Sequence, residues 1–539
     1  MSRYGFALNG SKKSESSLSI SKAQRFTLVL QTVHFRLIVF GLAFVLSNVC
    51  AIAGNGTLSV SVTEESNDEE TVTRMELFRA TAPDRPMPIR KTVPAGLGVV
   101  LDRRVDVSLP ESAYQFRMIR GPEYRIITGT FTLEKTSLDK HNVALPRMIN
   151  MLEKGWTSGD CCVPSSPYNL PIRMASEDLH VAAVLGHVDP KPVAGRKPDD
   201  PLPGDPFWIR EDARQRDGLI SYGAIDDDAW DQMKLPVDAL VLAARNDELR
   251  VAIENPFAWP VPVWLASGQV DGIFVLGDWL RLDRAVSRLP DSRGIEGLNL
   301  GGGTALGRWA EKIYWNLLEA GFRIPPMAGS GNDAGKSPVG YNRLYVALPG
   351  HASRSFDSSD PLAVQPVLTG DQWWQAAWKG HSVATNGPLL RPKLGGEMPG
   401  HVFRASTGEA LQLQPEIALS VRDPVDYLEV IWNGQVHYSA RLDDFARAGG
   451  KIPPLEIKES SWVTIRVVTL HEDHFRAAMT APWYIDFDSK RRITKEGVEF
   501  FQRWLGEYEE KLKRLPPEEL TPHIPYIRSA RDFWANRAP

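Results

Sequence analysis

Cysteine is scarce in this chain: three in 539 residues. Cys50 falls in an apolar stretch near the N-terminus, and Cys161 and Cys162 are adjacent. That pattern excludes a disulfide framework and a CxxC redox pair. Charge of one sign is also lacking. The net charge is −4, which gives no basis for a nucleic-acid partner or a polyacidic ligand. Gly301-Gly302-Gly303-Thr304 lacks the lysine of a phosphate-binding loop. No Gly-x-Ser-x-Gly lies between a strand pattern and a helix pattern. Beyond the N-terminal region no apolar run reaches the roughly 20 residues a spanning helix needs.

Tryptophan, by contrast, is plentiful, with 16 in the chain. Packing is the plain reading of so many; stacking on sugars or other flat ligands is the alternative. The length calls for several domains. A basic leader, the apolar core Leu37 to Val49 and the small-residue site Ala51-Ile52-Ala53 form the pattern of a secretory signal peptide. The expectation is a signal segment over 1–53, an exported protein, periplasmic or extracellular, and no stable membrane span after cleavage. A retained anchor is the competing reading.

Period-two alternation marks half-buried strands in two places. Leu58, Val60 and Val62 alternate, as do Tyr114, Phe116 and Met118; later Leu428, Val430 and Trp432 do so before Asn433-Gly434, a hairpin turn. Between them the pattern changes. Strand-like runs (Val181 to Leu185, Ala239 to Ala243, Gly272 to Leu276) interleave with helical ones, clearest at Ala305 to Ala320. The expected division is a β-sandwich over 54–150, an α/β domain over 151–390, a second sandwich over 391–488 and a helical tail over 489–539. The tail helix, Thr494 to Leu515, has Val498, Phe501, Leu505, Tyr508 and Leu512 on one side and is expected to dock on the body.

The stretch GWTSGDCCVPSSPYNLPIRMASEDLHVAAVL, Gly155 to Leu185, resembles the entry segment of the CehA/McbA-like branch of the polymerase-and-histidinol-phosphatase (PHP) fold. That segment opens Gly-Trp-x-x-Gly-Asp-Leu-His-x-His and is followed by Glu-Asp-Leu on a helix. Gly155, Trp156, Gly159, Asp160, Glu177, Asp178 and Leu179 match; Cys162 and Pro164 fill the histidine positions. Further blocks follow in order at Trp259 to Val275, Phe322 to Val346 and Trp373 to Leu390. Where relatives carry Asn-Asn-His, this chain has Gly277-Asp278-Trp279. After Ala328-Gly329-Ser330, where metal-dependent relatives carry Asp and His, it has Gly331-Asn332-Asp333. The resemblance implies a distorted (βα)7-type barrel flanked by two sandwiches. It also implies a cleft at the strand ends, where the family holds metal ions.

Such a site needs several imidazoles and carboxylates to activate water. Here the degenerate positions are Asp160, Cys162, Pro164, Glu177, Asp178, Trp279, Asn332 and Asp333. Proline cannot ligate, and one thiol with scattered carboxylates makes a weak site, Asp160 and Cys162 being its only metal candidates. Asp278, Glu254, Trp264, Trp309 and Asn386 are candidates for binding in the cleft, and His180 and His187 read as ordinary histidines. His471-x-x-His474 is a site for an adventitious metal at most. The expected function is a hydrolase homologue without catalytic metal or other cofactor, binding a small molecule or carbohydrate in the barrel cleft. One alternative is an active hydrolase of phosphoesters, carbamates or esters with a rebuilt zinc or manganese site. The other is a structural protein of the envelope.

Overall fold

Strands dominate because β-branched and aromatic residues recur at alternate positions through both halves of the chain. The structure, a computed structural model, describes residues 55–164, 169–186, 207–286, 289–295, 302–331, 337–348, 368–471 and 474–537. The signal segment, most of the proline-rich loop after Asp189, His187, Asn332 and Asp333 lie outside them.

In the first part, Arg104–Pro110, Asn55–Glu64 and Leu138–Leu145 form one sheet. Val72–Arg79, Gly98–Asp102, Ser112–Ile119 and Ile127–Leu133 carry a second. Both contribute to one apolar cluster, with Leu58, Val60 and Val62 from the first and Met75, Leu77 and Met118 from the second.

The rest of the chain is organised on a fifteen-stranded mixed sheet. Thr157–Val163 lies within it, parallel to Val181–Leu185 and antiparallel to Arg343–Val346. Val181–Leu185 continues parallel to Trp208–Arg216. Leu219–Tyr222 and Arg250–Ile253 then run antiparallel in turn, and Gly272–Leu276 and Pro326–Ala328 complete that flank in parallel. The expected (βα)7-type barrel is therefore corrected. Of the described residues 40% are in strands and 22% in helices, in large mixed sheets, and no helix-rich barrel is evident among them. Alternating strand and helix patterns were read as repeated βα units, but periodicity does not report strand direction. Direction is antiparallel where the barrel required parallel pairing. One run also changes class: Ala239 to Ala243 belongs to the helix Val237–Ala243, with Val237, Leu240 and Ala243 buried at a spacing of three. A five-residue apolar run fits either element.

The C-terminal strands are not a sandwich closed on itself either. Ser382–Thr385 pairs with Arg343–Val346 on one side and with Ala477–Thr480 on the other. From there the sheet passes through Ser461–Thr469 to Val425–Trp432 and Gln435–Ala440. Asn433 and Gly434 make the turn of the last hairpin. The helices Ala305–Glu319 and Lys495–Leu512 pack together, with the Trp309 and Phe500 rings 6.1 Å apart. Trp534 of the last helix donates its indole N–H to the Pro262 carbonyl at 2.9 Å. The tail thus docks on the body through buried aromatic rings. No helix among the described residues is long and apolar enough to cross a membrane.

Candidate functional site

Every residue of Thr157–Val163 is buried, so the carboxylate of Asp160 has no water to solvate it. Backbone donors take that role. Oδ1 accepts from the N–H groups of Cys162 and Ser330, both at 3.0 Å, and Oδ2 from that of Gly340 at 2.7 Å. Ser330 follows one strand and Gly340 precedes another, so a single carboxylate fastens two loops to the strand that carries it. The loop lies close. A Cβ placed on Gly329 would come within 2.6 Å of the Cys162 Cβ, and the Gly331 N–H donates to the Cys162 carbonyl at 2.9 Å. Burial pushes the Asp160 carboxyl up to about 6 even against three N–H donors.

Three other acidic groups share this neighbourhood. Burial, followed by the charges of Glu254, Asp160 and Asp278, drives the Cys162 thiol far above its ordinary pKa. Burial and the Asp278 charge lift Glu254 to about 8, although Gln215 Nε2 donates to its Oε2 at 3.1 Å. Asp278 faces the Arg281 guanidinium at 3.2 Å.

This donor set does not fit a resident metal. Asp160 has three of its lone-pair sites taken by backbone N–H groups and Asp278 is paired with Arg281. No group of three or more His, Cys, Asp or Glu among the described residues is arranged to hold an ion. Pro164 follows the strand, half-buried. Trp264, Trp279 and Trp309 are core residues, each no more than 2% exposed. Trp279 packs edge-on against Phe257, so it fills interior space instead of facing a cleft.

Glu177 and Asp178 point elsewhere. They follow the helix Leu170–Ser176 and meet the N-terminal sheets. Arg74 Nε donates to Glu177 at 2.5 Å. Arg120 and Arg147 hold the two oxygens of Asp178, the former at 3.2 Å. Burial alone would raise the Asp178 carboxyl, but the two guanidiniums outweigh it and hold it down at about 2. Glu123, on the same network, goes the other way. Burial and the Asp178 charge lift it to about 7, with Met151 N–H and the Tyr345 hydroxyl donating to it at 2.8 and 2.9 Å. His180 is buried against Ser158 Oγ at 3.1 Å, and burial lowers its pKa. These residues match a family motif in sequence, yet in space they are a seam of buried ion pairs.

Where that seam opens there is a cavity of about 340 Å³. Two residues singled out from sequence, Glu177 and Asn386, line it. Asn386 fastens the far wall, with Nδ2 donating to the Phe475 carbonyl at 3.0 Å and Oδ1 accepting from Ala477 N–H at 2.9 Å. The residues that sequence reasoning missed are arginines: Arg74, Arg117, Arg343, Arg422 and Arg476 all face it. They come from five separate places in the chain and share no motif. Of the residues singled out from sequence, His471 and His474 also lie on the cavity wall.

No family model matches the chain, and no curated protein does. Among solved structures, the Bacillus anthracis TIE protein is similar over 20% of this chain at 12% identity, with a TM-score of 0.14. The chain spans 18% of that protein's length, and so slight a likeness says nothing of fold or function.

Proposed function

We propose that the chain is a ligand-binding protein, and that the position matching the metal centre of the CehA/McbA-like enzymes is a buried clamp. What supports this most is Asp160, whose two oxygens are taken by three backbone N–H groups. Three of the roughly four lone-pair sites of this carboxylate are thereby taken, and a cation needing more than the one left on Oδ2 would have to release a loop. The arginine-lined cavity at the N-terminal seam is the binding site in this reading. Export belongs to the reading on the strength of Leu37 to Val49 and the small residues after them.

Metal content tests it. Protein made with zinc and manganese in the medium and dialysed against metal-free buffer is expected to carry no stoichiometric metal by elemental analysis. One or more equivalents per chain, lost in Cys162→Ala, would sink the proposal. That outcome would favour the rebuilt hydrolase.

A further inference from the structure

We infer that the arginine cavity takes an organic oxyanion, a carboxylate or phosphate carried on a small apolar body. This rests on reading the chain as a binding protein and names what it binds. The argument is one of charge and of donors left over. Five arginines and three carboxylates, Glu76, Glu177 and Asp423, line the cavity among the described residues. Each carboxylate already has an arginine. Arg74 lies 2.5 Å from Glu177, Arg117 2.5 Å from Glu76, and Arg476 2.9 Å from Asp423.

Two guanidiniums remain. Arg343 is fully buried and spends its donors on carbonyls, with both Nη atoms 3.1 Å from the Glu177 oxygen. Arg422 donates Nη1 to the Gly121 carbonyl at 2.9 Å, and the carboxylate paired with it among the described residues, Asp423, is 4.0 Å away. A largely buried cation held by one carbonyl and by a carboxylate 4.0 Å away that is itself paired with Arg476 is poorly compensated. Burial and the neighbouring charge of Arg476 push Arg422 down to about 10. It is still charged at neutral pH, and an anion in the cavity would relieve it.

The donors suit an oxyanion. A guanidinium presents two parallel N–H groups to a carboxylate or phosphate. The Tyr341 phenol, another wall residue, is kept protonated by burial and remains a donor. The wall is apolar in part, with Leu97, Ile119, Pro122 and Leu282. A bare inorganic ion would leave that wall uncovered, so the ligand carries a hydrophobic part.

Calorimetric titration of the full chain, in low salt with EDTA, tests this with phenyl phosphate, benzoate, inorganic phosphate and the neutral isostere benzamide. One equivalent of phenyl phosphate or of benzoate is expected to bind, and whichever binds more tightly names the oxyanion. Benzamide is expected not to bind, and inorganic phosphate to bind more weakly than phenyl phosphate. Arg422→Gln is expected to weaken binding about tenfold or more. Arg422→Lys should retain part of it, and Asp423→Asn should tighten it by removing a negative charge. The inference is overturned if neither organic anion binds, or if benzamide binds as well as benzoate. It is equally overturned if Arg422→Gln, Arg422→Lys and Asp423→Asn all leave affinity unchanged in proteins with wild-type melting temperatures. Cys162-dependent, metal-dependent hydrolysis of phenyl phosphate would instead sink the non-hydrolytic reading. A metal-free protein that ignores both organic anions sinks this inference alone.

Discussion

Glu254→Gln is expected to raise the melting temperature at pH 8.5 and to raise it much less at pH 5.5. Glu254 is buried beside Asp278 and is held neutral up to about pH 8 in the folded protein. In the unfolded chain it ionises near the ordinary value of about 4.3. Its folded pKa is therefore the raised one. The stability it contributes is complete below the unfolded value and is lost as pH rises through about 8. Asp160, raised to about 6, and Glu123, raised to about 7, act in the same direction. The wild-type protein should thus melt at progressively lower temperature between pH 5 and 8.5. Glutamine keeps the shape and the contact with Gln215 but cannot ionise. At roughly 1.4 kcal/mol per tenfold change in proton affinity, the gain above pH 8 is of the order of a few kcal/mol. Scanning fluorimetry across pH is the measurement. Equal destabilisation by Glu254→Gln at both pH values would show that a charged carboxylate is needed there, as in a metal ligand, and would contradict the neutral assignment.

Asp178→Asn has the opposite sign and a comparable size. Asparagine keeps the volume and tolerates the left-handed backbone at this position, where φ is 52°. Only the charge is removed. That leaves Arg120 and Arg147, both in contact with Asp178, without their shared partner. Breaking one side of a buried ion pair typically costs about 3–5 kcal/mol. The folded pKa of Asp178 is the lowered one, so its contribution is present above the ordinary carboxylate range and fades as pH falls toward 2. The loss in Asp178→Asn should therefore be full at pH 7 and shrink in acid. Denaturant midpoints at pH 7 and pH 3 check both statements. An unchanged midpoint at pH 7 would mean the seam between the N-terminal sheets and the rest is not held by this network.

Local order was legible where a single physical rule decides it. Val181–Leu185 and Gly272–Leu276 are strands with the bounds that their β-branched runs suggest. Asn433-Gly434 is the hairpin turn, and Ala305–Glu319 is a helix with Leu306, Trp309, Ile313 and Leu317 buried. Architecture was less legible, because direction is set by tertiary pairing. Nothing in Leu219–Tyr222 shows that it runs antiparallel to both of its neighbours. At the site, the resemblance assigns Asp160, Cys162, Glu254 and Asp278 to one cleft, and in the structure the other three act electrostatically on Cys162. It could not show that two backbone N–H groups from distant loops, with that of Cys162, would occupy Asp160. Glu177 and Asp178 match the family's Glu-Asp-Leu and so read as parts of that same site, while in space arginines as far away in the chain as Arg74 and Arg120 claim them. The cavity arginines were invisible, since charges that converge only on folding leave no spacing to read.

The pairing of Ser382–Thr385 with Ala477–Thr480 has a consequence for anyone dividing this protein for expression. A fragment ending near residue 390 would strip one side of Ser382–Thr385, a strand whose residues are all buried. Its N–H and C=O groups would stand open in a row with apolar side chains around them, the arrangement that recruits strands from other chains. Such a fragment is expected to be recovered from inclusion bodies, and the complementary piece starting at 391 to fare no better, because Ala477–Thr480 would be bare in its turn.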